Sequence, residues 1–527
     1  MVLATLSLRE DYWETFDLLE EDIEFIYNYL LELETPLTPN ELVEALVEER
    51  IGKEIQEFEK QRTSAGDIYF PKESFREKQK LIFPALGWRK GEVVGSRPGV
   101  NPDITEFTVI SVKFENGEQR EFASEVSSHV LNDPPIVSQD DVLLNPDFVI
   151  ENYGNQLIER LEIGLNANED FVRIAGRWFP RALLVDVNQG HLNLAEAVLD
   201  MAGGGPLPTN ALLEQVELPS TENSKLVEFS LDLGLEEDAR FDEVGPAGEV
   251  LWFLRRLEPQ EVLETPKYLR YHEIEHDRSL LNEEMLALER ELDDEHSPIA
   301  IEQPRSNDVV VSLNFPHWRV GSLPLSSRIE HLFPTAYEAP RIRFILEDRK
   351  SGESFPGWVV REKKYVFGLH EWYESQGLMP GSLVRVQRGK DPGKVIVSAD
   401  SRRSSREWIR TVLVGTDGGT VFAMLKQVVS AAFDERMAIA IPDVNALDTV
   451  WKRMQKERPP FERVVVDIVR ELSKLNPQGH VHASELYAAV NVVRRSPPAP
   501  ILALLASRPW FVHVGDLHFR FDDSEHA

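Results

Sequence analysis

Cysteine is absent from all 527 residues, which excludes disulfides, thiolate zinc sites and cysteine nucleophiles. Long apolar runs are missing too, so no segment is expected to span a bilayer. The opening residues, MVLATLSLREDYWETF, turn acidic before a stretch of signal-peptide length can build up, and the expected location is cytoplasmic. Positive charge is scarce: 57 Lys/Arg stand against 90 Asp/Glu, a formal net charge of -33. Phosphate is repelled at long range by such a surface, which weighs against indiscriminate nucleic-acid binding but leaves room for a concentrated basic site. Several reaction classes also lack their usual marker. There is no G-x-G-x-x-G and no G-x-S-x-G, and no phosphate-loop lysine follows Thr416-Asp417-Gly418-Gly419. A non-enzymatic protein with neither cofactor nor metal is the expectation.

Against this acidic background one stretch reverses sign. Between Arg341 and Arg410 there are 15 Lys/Arg and 9 Asp/Glu. Its apolar residues alternate in short runs (Ile342, Phe344, Leu346; Trp358, Val360; Val384, Val386; Val395, Val397), broken at Ser351-Gly352, Pro356-Gly357, Pro380-Gly381 and Pro392-Gly393. Short alternating runs between turn signals predict a compact, mostly antiparallel barrel or sandwich. Trp358 and Trp372 are expected in its core.

At this length one core is not enough, and 42% hydrophobic residues with 26 Phe supply several. The spacing predicts a helix over 21–34, with Ile23, Ile26, Tyr27, Leu30 and Leu31 on one face. Thr38-Pro39-Asn40-Glu41 reads as the N-cap and first turn of a second helix. Strand patterns fill 67–132, where Asn116-Gly117 signals a hairpin. Three segments then share a plan of helices followed by a two-stranded wing, each ending in an apolar hairpin around a glycine: EDFVRIAGRWFP, RFDEVGPAGEVLWFL and RPWFVHVGDLHFRF. The expected class is therefore α+β and multi-domain. It comprises a split winged helix (1–66 with 140–185), a small inserted β-barrel (67–133) and a second winged helix (186–260). A charged helix and linker (261–308), the basic barrel (309–400), a small mixed segment (401–457) and a C-terminal winged helix (458–527) complete it.

Two resemblances sharpen this plan. The wing endings resemble the HARE-HTH group, which includes the globular domain of the bacterial RNA polymerase delta subunit. That likeness implies RNA polymerase or another protein as a partner. However, the third helix of the middle copy, ENSKLVEFSLDLGLEEDAR, is acidic, and that of the last, SPPAPILALLASR, is apolar. Neither suits a groove-reading helix. The basic barrel resembles the DNA-binding pseudobarrel of plant auxin-response and abscisic-acid-response factors. The order of features carries the likeness: LPLSSRI, Leu332-Phe333-Pro334, Asp348 before a glycine turn, Trp358, Tyr365 before Gly368-Leu369, Trp372-Tyr373 and Leu378-Met379-Pro380-Gly381. The family pattern has Asp after that glycine, where this chain has Ser382.

The pseudobarrel resemblance implies that duplex DNA is gripped by two arms, Arg319, Ser322, Ser326 and Arg328 on one and Arg361, Lys363 and Lys364 on the other. Arg402, Arg403, Arg406 and Arg410 lie just downstream and extend the patch. Arg forks onto guanine or phosphate, Lys supplies point charge, and Ser hydroxyls add short phosphate contacts. A second basic cluster, Lys72, Arg76, Lys78, Lys80, Arg89, Lys90 and Arg97, sits in the inserted barrel. His272-Glu273-Ile274-Glu275-His276 matches H-E-x-x-H, which on a helix would put both histidines on one face for zinc with Glu273 as base. Charges at Glu275, Asp277 and Arg278 and the lack of a third ligand favour instead the start of a charged surface helix over 266–295. The sequence thus predicts a DNA-binding, transcription-associated protein, with a protein-interaction scaffold and a zinc hydrolase as the alternatives.

Overall fold

The capping chemistry at Thr38 shows how literally the chain follows its local signals. In the computed structural model Thr38 N donates to Glu41 Oε2 (2.7 Å) and Glu41 N to Thr38 Oγ1 (3.4 Å), a reciprocal cap opening the helix Pro39–Thr63. The structure describes residues 8–63, 67–86, 89–100, 107–114, 116–132, 142–216, 218, 223–299, 305–391, 393–416 and 418–524. It is a mixed α+β chain that divides into two compact units, Met1–Val185 with Thr221–Phe229, and Asp186–Ser220 with Ser230–Ala527. Among the described residues no helix is long and apolar enough to cross a membrane.

In the first unit the helices Glu20–Leu33, Pro39–Thr63 and Pro146–Asn166 are followed by the hairpin Phe171–Ile174 with Arg177–Pro180. Their apolar faces meet in one core that includes Ile26, Leu30, Leu42, Leu46, Leu157, Leu161, Phe171 and Trp178. Leu37 and Trp178 exchange backbone hydrogen bonds (3.2 and 2.8 Å), tying the interhelical turn to the hairpin. Between the second and third helices five strands run in chain order, Asp67–Ile68, Lys80–Phe83, Arg89–Pro98, Thr108–Phe114 and Gln119–Ser124. Tyr69, Leu81, Phe83, Val93, Ile110, Val112 and Phe114 fill its concave side. Val126 N bonds Pro71 O (2.7 Å) and Tyr69 Oη donates to Ala123 O, so the last strand curls back toward the first. The hairpin at 114–118 closes through Gly117, whose φ of +84° suits glycine.

The second unit opens with helices, among them Gln189–Met201 and Thr209–Leu213, and a three-stranded sheet of Leu207–Pro208, Leu251–Leu254 and Phe241–Glu243. Its centre is an open half-barrel of seven strands. In sheet order these are Asp308–Ser312, Leu383–Arg388, Lys394–Ala399, Arg341–Asp348, Ser354–Val360, Tyr365–Phe367 and Ser322–Pro324. Only the Lys394–Ala399 and Arg341–Asp348 pair runs parallel. Ile342, Phe344, Leu346, Val384, Val386, Val395 and Val397 line its inner face with Trp372, while Trp358 packs from the other face, edge-on to Phe253 (5.4 Å). Ser382, where the pseudobarrel pattern has Asp, is buried and its Oγ accepts from Met379 N (2.9 Å), so the serine itself closes that turn. Beyond the sheet come a long hairpin, Ser401–Val414 with Thr420–Ala431, and the helices Val444–Glu457, Phe461–Ser473, Ala483–Val493 and Pro498–Ser507. A last sheet holds His480–His482, His518–Phe521 and Phe511–Gly515.

Two expectations are corrected here. The long charged helix over 266–295 is not formed: only Glu283–Leu292 is α-helical, capped by Asn282 Oδ1 on Met285 N (2.9 Å). Residues 266–277 are irregular, because buried Tyr268 and Leu269 anchor them sideways and Tyr271 Oη accepts the Ile274 amide (3.2 Å), where a helix would use a carbonyl. Nor are the residues after it a linker throughout. Asp293, Asp294 and Glu295 are buried, the last two on Arg495 at 2.7 Å each, while 300–304 lie outside the described residues.

Candidate nucleic-acid interface

The fold dismantles the first predicted arm. Ser322 is fully buried, its Oγ 2.9 Å from His317 Nδ1. Ser326 is buried as well and donates to Asp293 Oδ2 (2.5 Å). Neither hydroxyl reaches a phosphate, because both small side chains were needed to pack the strand and turn against a polar core. Arg319 forks onto Asp448 (3.1 and 3.5 Å) and lies over the Tyr268 ring. Burial pushes the Asp448 carboxyl up, but Arg319 and Tyr268 outweigh it and hold it below the usual carboxylate range. The guanidinium is therefore neutralised inside the unit. Of this arm only Arg328 is exposed.

The second arm is partly spent. Arg361 Nη1 donates to the carbonyls of Ala339 (2.9 Å) and Tyr337 (3.4 Å), and Lys363 pairs with its neighbour Glu362. Lys364 is exposed in the left-handed conformation, φ +55°. Arg410 is held by Glu485 (2.5 Å) and by the carbonyls of Glu435 and Arg436. The cluster in the first unit fares similarly. Arg89 pairs with Glu118 (3.0 Å) and Arg97 with Glu121 (2.5 Å), while Lys80 sits across from Glu92 in the ladder. Arg120, Asn116 and Arg89 push Glu118 down to about 2, the mark of an acid absorbing the local positive charge. Lys72, Arg76, Lys78, Lys80 and Lys90 remain exposed.

What stays open is the ribbon formed by Ser401–Val414 and Thr420–Ala431. Arg402, Arg403 and Arg406 are exposed on its first strand, and among the described residues Arg403 and Arg406 form no ion pair. Register places Trp408 opposite Lys426 and Arg406 opposite Val428. Residues two apart share a strand face, so Arg406, Trp408, Lys426 and Val428 form one outward strip. Trp408 is 61% exposed and Val428 67%. Lys426 Nζ stands 5.3 Å from the Trp408 ring centroid, and Arg402 lies 5.5 Å from that of Phe433. On the other face Ile409 and Val429 pack on Ala438 and Ala440, while Leu413, Val421 and Leu425 stay exposed. Arg410 and Thr411 pair in parallel with Ile439 and Ala440, fixing one edge.

An unneutralised cation row around a solvent-facing indole can hold a polyanion and stack on a planar ring. Sequence reasoning reached Arg402, Arg403 and Arg406 but missed Trp408 and Lys426. The available signal was the alternation over 406–414 and 420–429 about the turn at Gly418-Gly419.

His272 and His276 lie on irregular backbone, so they do not share a helical face, and His276 Nδ1 is 2.7 Å from Ile274 O. Among the described residues no group of three or more His, Asp or Glu is placed to hold a metal ion. Compared with known proteins, the chain matches no family model, no curated protein and no solved structure.

Proposed function

We propose that the chain is a non-enzymatic, transcription-associated DNA-binding protein that meets nucleic acid on the ribbon 401–431. In this reading the three helix-and-hairpin segments are winged-helix modules that scaffold the chain or bind a protein such as RNA polymerase. The seven-stranded sheet is the pseudobarrel-like element that carries the ribbon. The observation that carries the reading is the outward strip of Arg406 and Lys426 around Trp408, with Arg403 exposed on the same strand, in a chain of net charge -33. Cations left unpaired amid so many available carboxylates suit an anionic partner, and an acidic remainder confines contact to that strip.

The test is binding of a fluorescent DNA duplex by the full chain between about 50 and about 200 mM salt. Affinity is expected to fall with salt, and Arg403→Glu with Arg406→Glu to weaken it and flatten the salt slope. No binding at the lowest salt overturns the proposal. A second reading, a protein-docking ribbon, is favoured by the exposed Leu413, Val421, Met424, Leu425 and Val428 on the same two strands. Nuclease-resistant capture of RNA polymerase subunits that depends on these side chains distinguishes it.

A further inference from the structure

Resting on the nucleic-acid reading above, we propose that the ribbon takes an unpaired strand, stacking a base on Trp408 while Arg406 and Lys426 hold the flanking phosphates. Three features separate this from duplex recognition. In a duplex the base faces are covered by their neighbours, so an indole standing off a strand finds no ring to stack on. An unpaired strand offers one at every nucleotide. A two-stranded ribbon also fits the major groove of B-DNA, which is about 12 Å wide, but only if it stands clear of its domain. Here the ribbon's back is packed through Ile409 and Val429 onto Ala438 and Ala440, and one edge is paired to Ile439 and Ala440. Val412 and Phe422, further along the Trp408 face, are buried as well, so the ribbon does not stand clear of its domain. Finally, Lys426 stands within 5.3 Å of the Trp408 ring centroid while the side chain stays 61% exposed. A base stacked on the open side completes a sandwich of base, indole and ammonium.

The groups facing the strip favour this occupant. Cross-strand pairs put Val428 beside Arg406 and Lys426 beside Trp408, with no carboxylate on that face between them. Glu407, the acid between Arg406 and Trp408 in sequence, alternates to the other face, where Gln427 is its cross-strand neighbour. Unpaired DNA and unpaired RNA share the chemistry that this face recognises.

The experiment titrates the full chain against labelled oligo-dT and oligo-rU, each about 20 nucleotides long and so longer than one binding footprint, and against a blunt duplex of equal length. Tighter binding of either single strand than of the duplex is expected, and the better of the two names the source. Trp408→Ala should weaken single-strand binding by roughly 5- to 140-fold, the loss of one stacked base. Trp408→Phe should retain most of it, and duplex binding should change less than about twofold. Trp408 fluorescence should be quenched on saturation. The stacking proposal is overturned if Trp408→Ala binds single strands like the parent chain, or if the duplex is preferred. In that event salt-dependent duplex binding leaves the DNA reading standing, whereas failure to bind any probe overturns both.

Discussion

Replacing Arg495 with methionine strands two buried carboxylates. The Arg495 side chain is 1% exposed, and its Nη2 lies 2.7 Å from both Asp294 Oδ1 and Glu295 Oε1, whose side chains are 0% and 2% exposed. Nη1 donates to Asn491 Oδ1 (3.1 Å) and Ser496 O (3.0 Å), so the same guanidinium closes the turn after the helix Ala483–Val493. Tyr487 Oη donates to Asp294 Oδ2 (2.6 Å), and His317 Nε2 lies 3.2 Å from Glu295 Oε1. Burial pushes the Glu295 carboxyl up, but Arg495 and His317 more than offset it and hold it well below the usual range.

Removing one partner of a buried pair costs about 3–5 kcal/mol, and leaving two carboxylates unpaired puts the expected loss at the upper end. With an m value of about 2–3 kcal/mol/M, Arg495→Met should lower the urea midpoint of the second unit by about 1–2 M. Hydrogen exchange at 483–493 reports the transition locally. Adding Asp294→Asn and Glu295→Gln removes the stranded charge and should recover most of the loss. Because the folded-state pKa of Glu295 is depressed, the pair's contribution is present above about pH 4.5 and is lost as pH falls through the folded value. A single variant within about 1 kcal/mol of the parent, or a triple variant worse than the single, refutes the reasoning.

Glu243 is buried, which raises it to about 8 despite hydrogen bonds from the Gly245 and Leu251 amides. Its contribution is fully present below about pH 4.5 and is lost as pH rises toward 8. Glu243→Gln should therefore remove up to about 5 kcal/mol of that alkaline loss in pH-dependent unfolding. His482 shifts oppositely: burial, with Arg436 and His518, lowers it to about 4, so stability is complete above about pH 6.5 and lost as pH falls toward 4. His482→Asn keeps a capping acceptor for Ser484 and should flatten about 3 kcal/mol of this acid dependence. Gly381 has φ +92°, and a Cβ there would lie 2.4 Å from Ala438 Cα. Gly381→Ala should cost about 2–4 kcal/mol by thermal unfolding, and a neutral result contradicts the close approach. Trp252 Nε1 donates to Asp232 Oδ1 (2.9 Å) in a buried site with Thr209. Trp252→Phe should cost about 1–3 kcal/mol, because the carboxylate loses a donor that water cannot replace.

Local physics is written plainly in this chain. Helical periodicity around Ile26 and Leu30, the reciprocal cap at Thr38 and Glu41, the hairpin glycine at 117 and the alternation of Ile342, Phe344 and Leu346 depend on neighbours a few residues away. Their elements could be read from the string of residues for that reason. The charge total and the lack of cysteine were likewise settled there. Tertiary structure alone decided which polar side chains keep access to solvent. Ser322, Ser326 and Arg319 look like a binding arm in sequence, yet their partners His317, Asp293 and Asp448 come from a preceding helix, the 293–297 turn and a helix more than a hundred residues on. Arg495 meets Asp294 and Glu295 across about two hundred residues. Trp408 stayed outside because the neighbouring Ile409, with Val429, is the one that packs on Ala438 and Ala440 from distant parts of the unit. For Arg319, Ser326, Arg410 and Arg495 the partner lies tens to hundreds of residues away, and no local pattern encodes it.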